Sequence, residues 1–153
     1  MNKMDNIDKS IIKSLEDNGR ISHEEISKSL HISRPAIHQR VSKLEADGII
    51  KGYKAIVDWE MLGEPIKTLL YLKISCENFK ETINQILLLQ VNNVFIEECH
   101  RLAGEWCIVL KIRASTPIDI SNFIDTLWKI QGIKETSTTL ILSTILENGI
   151  RRE

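Results

Sequence analysis

Apolar positions in the first third of the chain recur at helical spacing in three short blocks, each with its own start and stop. Ile7, Ile11, Ile12 and Leu15 form the first stripe, with Asp5 placed to cap it and Asn18-Gly19 to end it. Ser22-His23-Glu24-Glu25 opens the second. Ser22 can accept from the Glu25 amide while Glu25 reaches back, and Ile21 and Ile26 occupy the staple positions around that cap. Ser33-Arg34-Pro35-Ala36 opens the third, stapled by Ile32 and Ile37, and Pro35 lies in a first turn where its missing N–H breaks no intrahelical bond. The last two starts are eleven residues apart across the turn Leu30-His31-Ile32-Ser33, and the third helix ends at Asp47-Gly48. Two short helices across so tight a turn predict a helix-turn-helix, whose second helix presents side chains to a DNA groove.

On a 3.6-residue wheel Ile37, Val41 and Leu44 pack inward. Pro35, Gln39 and Ser42 lie opposite, His38 and Lys43 flank them, Arg34 projects from the first turn, and Arg40 borders the core. Such a row is either the solvated face of an amphipathic helix or a reading surface. Gln pairs bidentately with adenine and Arg with guanine or phosphate, so the residue types suit the second reading. A β-rich segment, Ile49 to Asp58, follows; Lys51 and Lys54 either touch phosphates or hydrate a linker strand. Gly and Pro punctuation closes it at Trp59 to Pro65. We therefore expect a DNA-binding domain over residues 1–58, a linker over 59–65 and a second domain over 66–153.

From Leu69 the period changes to two, with Leu70, Leu72 and Ile74 alternating with Leu69, Tyr71 and Lys73. Phe79, Ile83, Ile86 and Leu87 form a helical stripe ending near Gln90. Strands are expected from Val94 to Arg101 and from Trp106 to Arg113, joined at Ala103-Gly104-Glu105. Thr116-Pro117-Ile118-Asp119 starts another helix, with Ile120, Phe123, Ile124 and Leu127 as its apolar face and Gln131-Gly132 as its end. A last strand runs from Glu135 to Leu146, with Thr136, Thr138, Leu140 and Leu142 on one side. The fold class is α+β: a winged helix-turn-helix domain, then a ferredoxin-like βαββαβ domain with helices on one sheet face. Trp106, Ile108, Leu110 and Ile112 are expected to face those helices. Leu69, Tyr71, Val109, Ile141 and Ile145 would then leave the other face apolar, which calls for a second copy of the chain; a one-residue register error would exchange the faces.

Composition narrows this picture in three ways. A net charge of −1 excludes a broadly basic coat, yet between His31 and Ile56 five Lys/Arg stand against Glu45 and Asp47, a short-range positive field. Cys76, Cys99 and Cys107 form an odd set without a C-x-x-C pair, which argues against a disulfide scaffold or metal site and for thiols in a reducing cytosol. No run approaches the ~20 apolar residues of a membrane span, so a soluble, cytoplasmic protein is expected.

The order Ile7-Asp8, Ile11-Ile12, Leu15, Gly19-Arg20-Ile21-Ser22, Leu30, Ile32-Ser33, Val41, Leu44-Glu45 and Gly48-Ile49-Ile50-Lys51-Gly52-Tyr53 resembles the DNA-binding half of the Lrp/AsnC, or feast/famine, transcriptional regulators. Glu98-Cys99-His100-Arg101, Gly104-Glu105, Cys107 and Gln131-Gly132-Ile133 with Thr136 and Thr138 extend the likeness over nearly the whole chain. The resemblance implies a homodimer on double-stranded DNA, often assembled into tetramers or octamers, with a small effector, commonly an amino acid, held between regulatory domains. It makes Ser33, Arg34, Pro35, His38, Gln39, Arg40, Ser42 and Lys43 the candidate DNA contacts. Gly104, Glu105 and Trp106, with Thr136 and Thr138, become candidate effector contacts: turn amides suit a carboxylate and Glu105 an ammonium. Gly104 is equally a hairpin glycine, and threonine a common strand residue. The chain departs from the family at Ala103, where threonine is usual, and at Trp106, where a smaller or polar residue is usual. Trp106 either fills the cleft, changes ligand choice, or joins the core.

Two other functions compete. Sirohaem decarboxylases use the same two domains, but no nucleophile–base pair or carboxylate dyad is discernible, and a capped, basic reading helix has no use in an enzyme. A ligand-sensing module acting through protein partners is the other. No catalytic residue, metal or cofactor is expected.

Overall fold

A computed structural model describes residues 4–75 and 77–151; Cys76 lies outside the described residues. The chain divides into two compact units, one ending at Ile56 and the other beginning at Val57.

In the first unit the helix starts follow from local chemistry. Helix α1 (Asn6–Asp17) opens on a reciprocal cap: the Asp8 amide donates to Asp5 Oδ1 at 2.8 Å and the Asp5 amide to Asp8 Oδ2 at 3.2 Å. Helix α2 (His23–Leu30) opens on the Ser22–Glu25 box and ends at His31, whose φ of 54° turns the chain sharply into α3 (Arg34–Ala46). Ile11 from α1, Ile26 from α2, and Ile37, Val41 and Leu44 from α3 meet in one buried cluster. After Gly48 (φ 69°) the segment marked as β-rich, residues 49–58, forms no ladder, because β geometry needs a partner strand.

The second unit runs β1 (Ile66–Ile74), α4 (Phe79–Leu87), β2 (Val94–Arg101), β3 (Ile108–Ala114), α5 (Pro117–Leu127) and β4 (Ile133–Leu140). Its four-stranded sheet has the order β2-β3-β1-β4, with every neighbour antiparallel, the ferredoxin-like βαββαβ arrangement. Leu70, Leu72, Ile108, Leu110 and Ile112 are buried with Ile86 of α4 and with Phe123 and Leu127 of α5, so one sheet face carries the core. A capping box at Thr116–Asp119 starts α5.

Several expectations are corrected. Strand β4 stops at Leu140; the chain then makes a hairpin, β5 (Leu146–Glu147) and β6 (Ile150–Arg151), whose turn residues Asn148 (φ 52°) and Gly149 (φ 75°) both take left-handed backbone. In α4 the buried positions are Thr82 and Ile86, while Leu87 is exposed. Thr82 sits under Gly132 (φ 104°), where an added Cβ would come within 2.9 Å of the Thr82 hydroxyl oxygen. Trp106 precedes β3 and leans on Tyr71, on the sheet face away from the helices. That outer face is also not the continuous apolar surface expected. Leu69, Tyr71 and Val109 alternate there with Lys67, Lys111 and Arg113, which the chain's own segments cover. Glu147 of the hairpin binds Lys67 at 2.7 Å and Lys111 at 2.9 Å. Glu97 takes Arg113 through Nε and Nη2, at 2.8 and 2.6 Å, and the Trp59 ring stacks 5.1 Å from the guanidinium. Among the described residues no helix is long and apolar enough to cross a membrane.

Candidate nucleic-acid interface

Burial of Ile37, Val41 and Leu44 fixes the rotation of α3 and turns the opposite row outward. Ser33, Arg34, Pro35, His38, Gln39, Ser42 and Lys43 are all exposed. Among the described residues the side chains of Arg34, Gln39, Ser42 and Lys43 make no hydrogen bond or ion pair, so their donors and acceptors face water. Arg40 differs: Nη1 donates to Asp5 Oδ2 at 2.8 Å and to Asp8 Oδ1 at 2.6 Å, tying α3 to the N-terminus of α1. Those carboxylates hold the Arg40 guanidinium above its ordinary pKa.

The two helix starts at the turn are finished differently. At α2, Glu25 Oε2 accepts from the Ser22 amide at 2.8 Å and from the Ser22 hydroxyl at 2.7 Å, and those bonds lower the Glu25 pKa. At α3, contrary to the capped start expected from the sequence, Ser33 makes no side-chain cap bond, so the first-turn amides carry no intramolecular anion. An uncapped helix start beside exposed Arg34 favours a phosphate. Ser27 holds the intervening turn: its hydroxyl donates to the Ile32 carbonyl at 2.5 Å, and the Ile32 amide donates to the Ser27 carbonyl at 3.1 Å. No sequence signal marked that role. His23 at the start of α2 and His38 on α3 lie with ring centroids 5.4 Å apart, coupling the two helices at the same surface. The concavity of about 780 Å³ in this unit, lined by Leu15, Ile50, Tyr53 and their neighbours, takes no residue from α3. The row on α3 is an exposed helix face outside that concavity, and an α-helix is an element that a major groove admits.

The candidate effector residues are distributed over the second unit. Gly104 takes φ 144° in the loop before β3, and nothing lies within 4 Å of where its Cβ would stand. Glu105 Oε1 accepts from Lys73 Nζ at 3.2 Å, and Trp106 packs on Tyr71 with ring centroids 6.2 Å apart. Thr136 and Thr138 pair with Leu72 and Leu70 on β1, on the helix-covered side. Within one chain the sheet therefore separates Trp106 and Glu105 from both threonines. Lys73, to which the sequence pattern assigned no role in the site, donates to Glu105 and Glu135 and lies over the Trp106 ring. Among the described residues no group of three or more His, Cys, Asp or Glu side chains is arranged to hold a metal ion.

Comparison with known proteins finds two family matches in the chain. Residues 4–51 match a winged helix-turn-helix DNA-binding model, and residues 89–150 match the Lrp/AsnC ligand binding domain. The chain is 33% identical over 148 residues to the HTH-type transcriptional regulator LrpC of Bacillus subtilis, covering 96% of this chain and 98% of that protein. It is 32% identical over 141 residues to the HTH-type transcriptional regulator FL11 of Pyrococcus horikoshii, covering 92% and 91%. The solved structure of B. subtilis LrpC superposes with a TM-score of 0.81, covering 94% of this chain and 97% of that one. A transcriptional regulator of Neisseria meningitidis, NMB0573, solved as an L-Met complex, shares the fold at a TM-score of 0.85 and 23% identity, covering 95% and 94%. These relatives are regulators rather than enzymes, and nothing supports the decarboxylase alternative. With a helix-turn-helix ahead of a ferredoxin-like ligand-binding domain, and relatives aligned over almost its full length, the chain is a DNA-binding transcriptional regulator of the Lrp/AsnC family.

Proposed function

We propose that α3 reads operator DNA in the major groove, with Gln39 and His38 at base edges and Ser33, Arg34, Pro35, Ser42 and Lys43 along the backbone. Arg40 acts differently, setting the angle of α3 through Asp5 and Asp8. The observation that carries this reading is the unengaged polar row of α3 beside an uncapped helix start. The working form is a homodimer at least, because one helix on one half-site gives too little specific contact, and two-fold symmetry doubles it. Further assembly into tetramers or octamers follows the family pattern. A small effector, an amino acid or a compound of similar size, binds between regulatory domains of different copies; NMB0573 in its L-Met complex supports that class. The division of the five candidate residues between two sheet faces supports a site built from two chains. The protein is expected to act in the cytoplasm.

Electrophoretic shift and fluorescence anisotropy on the chain's own upstream region provide the test. Gln39→Ala should cost ~1–3 kcal/mol at the preferred site and relax its sequence preference. Lys43→Ala should weaken all DNA alike and reduce the salt slope by about one. A specific-to-nonspecific ratio untouched by Gln39→Ala removes that side chain from base reading, and absence of any shift removes the DNA reading of α3 altogether.

A further inference from the structure

An ammonium group is already held at the open end of the sheet's outer face. Lys73 Nζ donates to Glu135 Oε2 at 2.8 Å and to Glu105 Oε1 at 3.2 Å, and lies 4.9 Å from the centre of the Trp106 ring. Trp106 is propped by Tyr71, its ring inclined at 51°. The carboxylates reach β1 from both sides: Glu135 stands directly across from Lys73 on β4, and Glu105 comes from the loop before β3. Two carboxylates and an indole face are the groups by which a protein recognises a primary ammonium. Here the ammonium belongs to the chain itself. Its hydrogen bond to Glu135, then that to Glu105, raises the Lys73 pKa, so it remains charged at neutral pH.

We propose that Lys73 is an internal occupant of an ammonium site made by Glu105, Glu135 and Trp106, and that a free primary amine binds there by displacing it. This rests on the effector reading above and changes one part of it. Glu105 does not await the ammonium of an effector; Lys73 has taken that place. Glu105 and Glu135 are exposed, so their bonds to Lys73 compete with water and yield to a ligand that brings contacts of its own. Lys73 therefore sets a threshold, rejecting simple amines and admitting an amine-bearing molecule that makes further contacts.

Lys73→Ala removes three methylenes and the ammonium, leaving a space the size of propylammonium. Calorimetry on the full chain without DNA should show Lys73→Ala binding propylammonium at least tenfold more tightly than the wild type does, and at least tenfold more tightly than it binds 1-propanol. Lys73→Met, which refills the space without charge, should show no such gain, and Glu135→Gln added to Lys73→Ala should abolish it. Equal affinity of Lys73→Ala for propylammonium and propanol overturns the proposal, as does a wild type that binds propylammonium as well as the variant. A second measurement does not depend on that variant folding. The Lys73 ε-methylene protons of the wild type should resonate upfield under the indole ring current and return on Trp106→Leu; lack of an upfield shift also overturns the proposal. Because both readouts omit DNA, an amine site without DNA binding sinks the regulatory reading alone, and DNA binding without an amine site sinks this one alone.

Discussion

Glu147→Gln tests whether the C-terminal hairpin is latched to the sheet. Its carboxylate binds Lys67 and Lys111, and the side chains of Glu147 and Lys67 are only 12% and 7% exposed. The hydrogen bond from Lys67, then that from Lys111, holds the Glu147 pKa down to about 2 from 4.5. That difference corresponds to about 3 kcal/mol of stability at neutral pH. The folded pKa is depressed, so the contribution is complete above the unfolded value of 4.5 and is lost as the pH falls to about 2. The glutamine side chain would keep the shape but leave Lys67 and Lys111 beside a neutral amide, so the expected loss at pH 7 is about 2–3 kcal/mol, with Tm lowered by roughly 10–15 °C. All three tryptophans, Trp59, Trp106 and Trp128, lie in the second unit, so indole fluorescence during urea unfolding follows that unit alone. The gap between wild type and variant should be full at pH 7 and closed near pH 2. Replacing Lys67 together with Glu147, as Lys67→Met with Glu147→Leu, should recover most of the loss, because that apolar pair carries no desolvation cost and Lys111 keeps Glu97 and Glu98. A gap below about 0.5 kcal/mol at pH 7, the size of a surface pair, would refute the latch. So would a gap that persists undiminished to pH 2.

Three further outcomes are expected. Arg40→Ala should lower the stability of the helical unit by about 1 kcal/mol and weaken DNA binding while leaving the salt slope intact; a slope reduced by about one would assign Arg40 to a phosphate instead. Gly132→Ala should destabilise the second unit by about 1–3 kcal/mol in urea unfolding, because its Cβ meets the Thr82 hydroxyl at 2.9 Å and φ is 104°; a neutral result would mean that α4 shifts freely. Light scattering at micromolar concentration should give at least a dimer, and a monomer with intact specific DNA binding would overturn the two-copy reading.

The order of elements was legible because its determinants are local. Asp5 with Asp8, Ser22 with Glu25, and Thr116 with Asp119 are partners three residues apart, and each box starts a helix where the pattern puts it. The strands of the βαββαβ unit likewise follow from alternation within single runs. Errors arose where a local signal had two meanings. Alternation carried backwards from Ile108 puts Trp106 on the core side, but regular pairing begins at Ile108, and outside a ladder the alternation no longer governs the side chain. The apolar run after Leu140 reads as continued strand, but residues 141–145 form no ladder, and pairing resumes only in the separate hairpin Leu146–Arg151 around Asn148-Gly149.

What the pattern does not reveal is which charge meets which. Arg40 lies 35 and 32 residues from Asp5 and Asp8, Lys67 80 residues from Glu147, and Lys73 32 and 62 residues from Glu105 and Glu135. Each pairing depends on the closed fold, because helix packing or strand register must first bring the carriers together. Those pairings redefine the roles assigned from residue type alone. Arg40 has the chemistry of a phosphate contact, but its charge is spent on Asp5 and Asp8. Glu105 has the chemistry of an ammonium receptor, but Lys73 fills it. The residues left unengaged on α3 are thereby the better candidates for DNA, since a side chain already bonded within its own unit must break that bond before it can serve a partner.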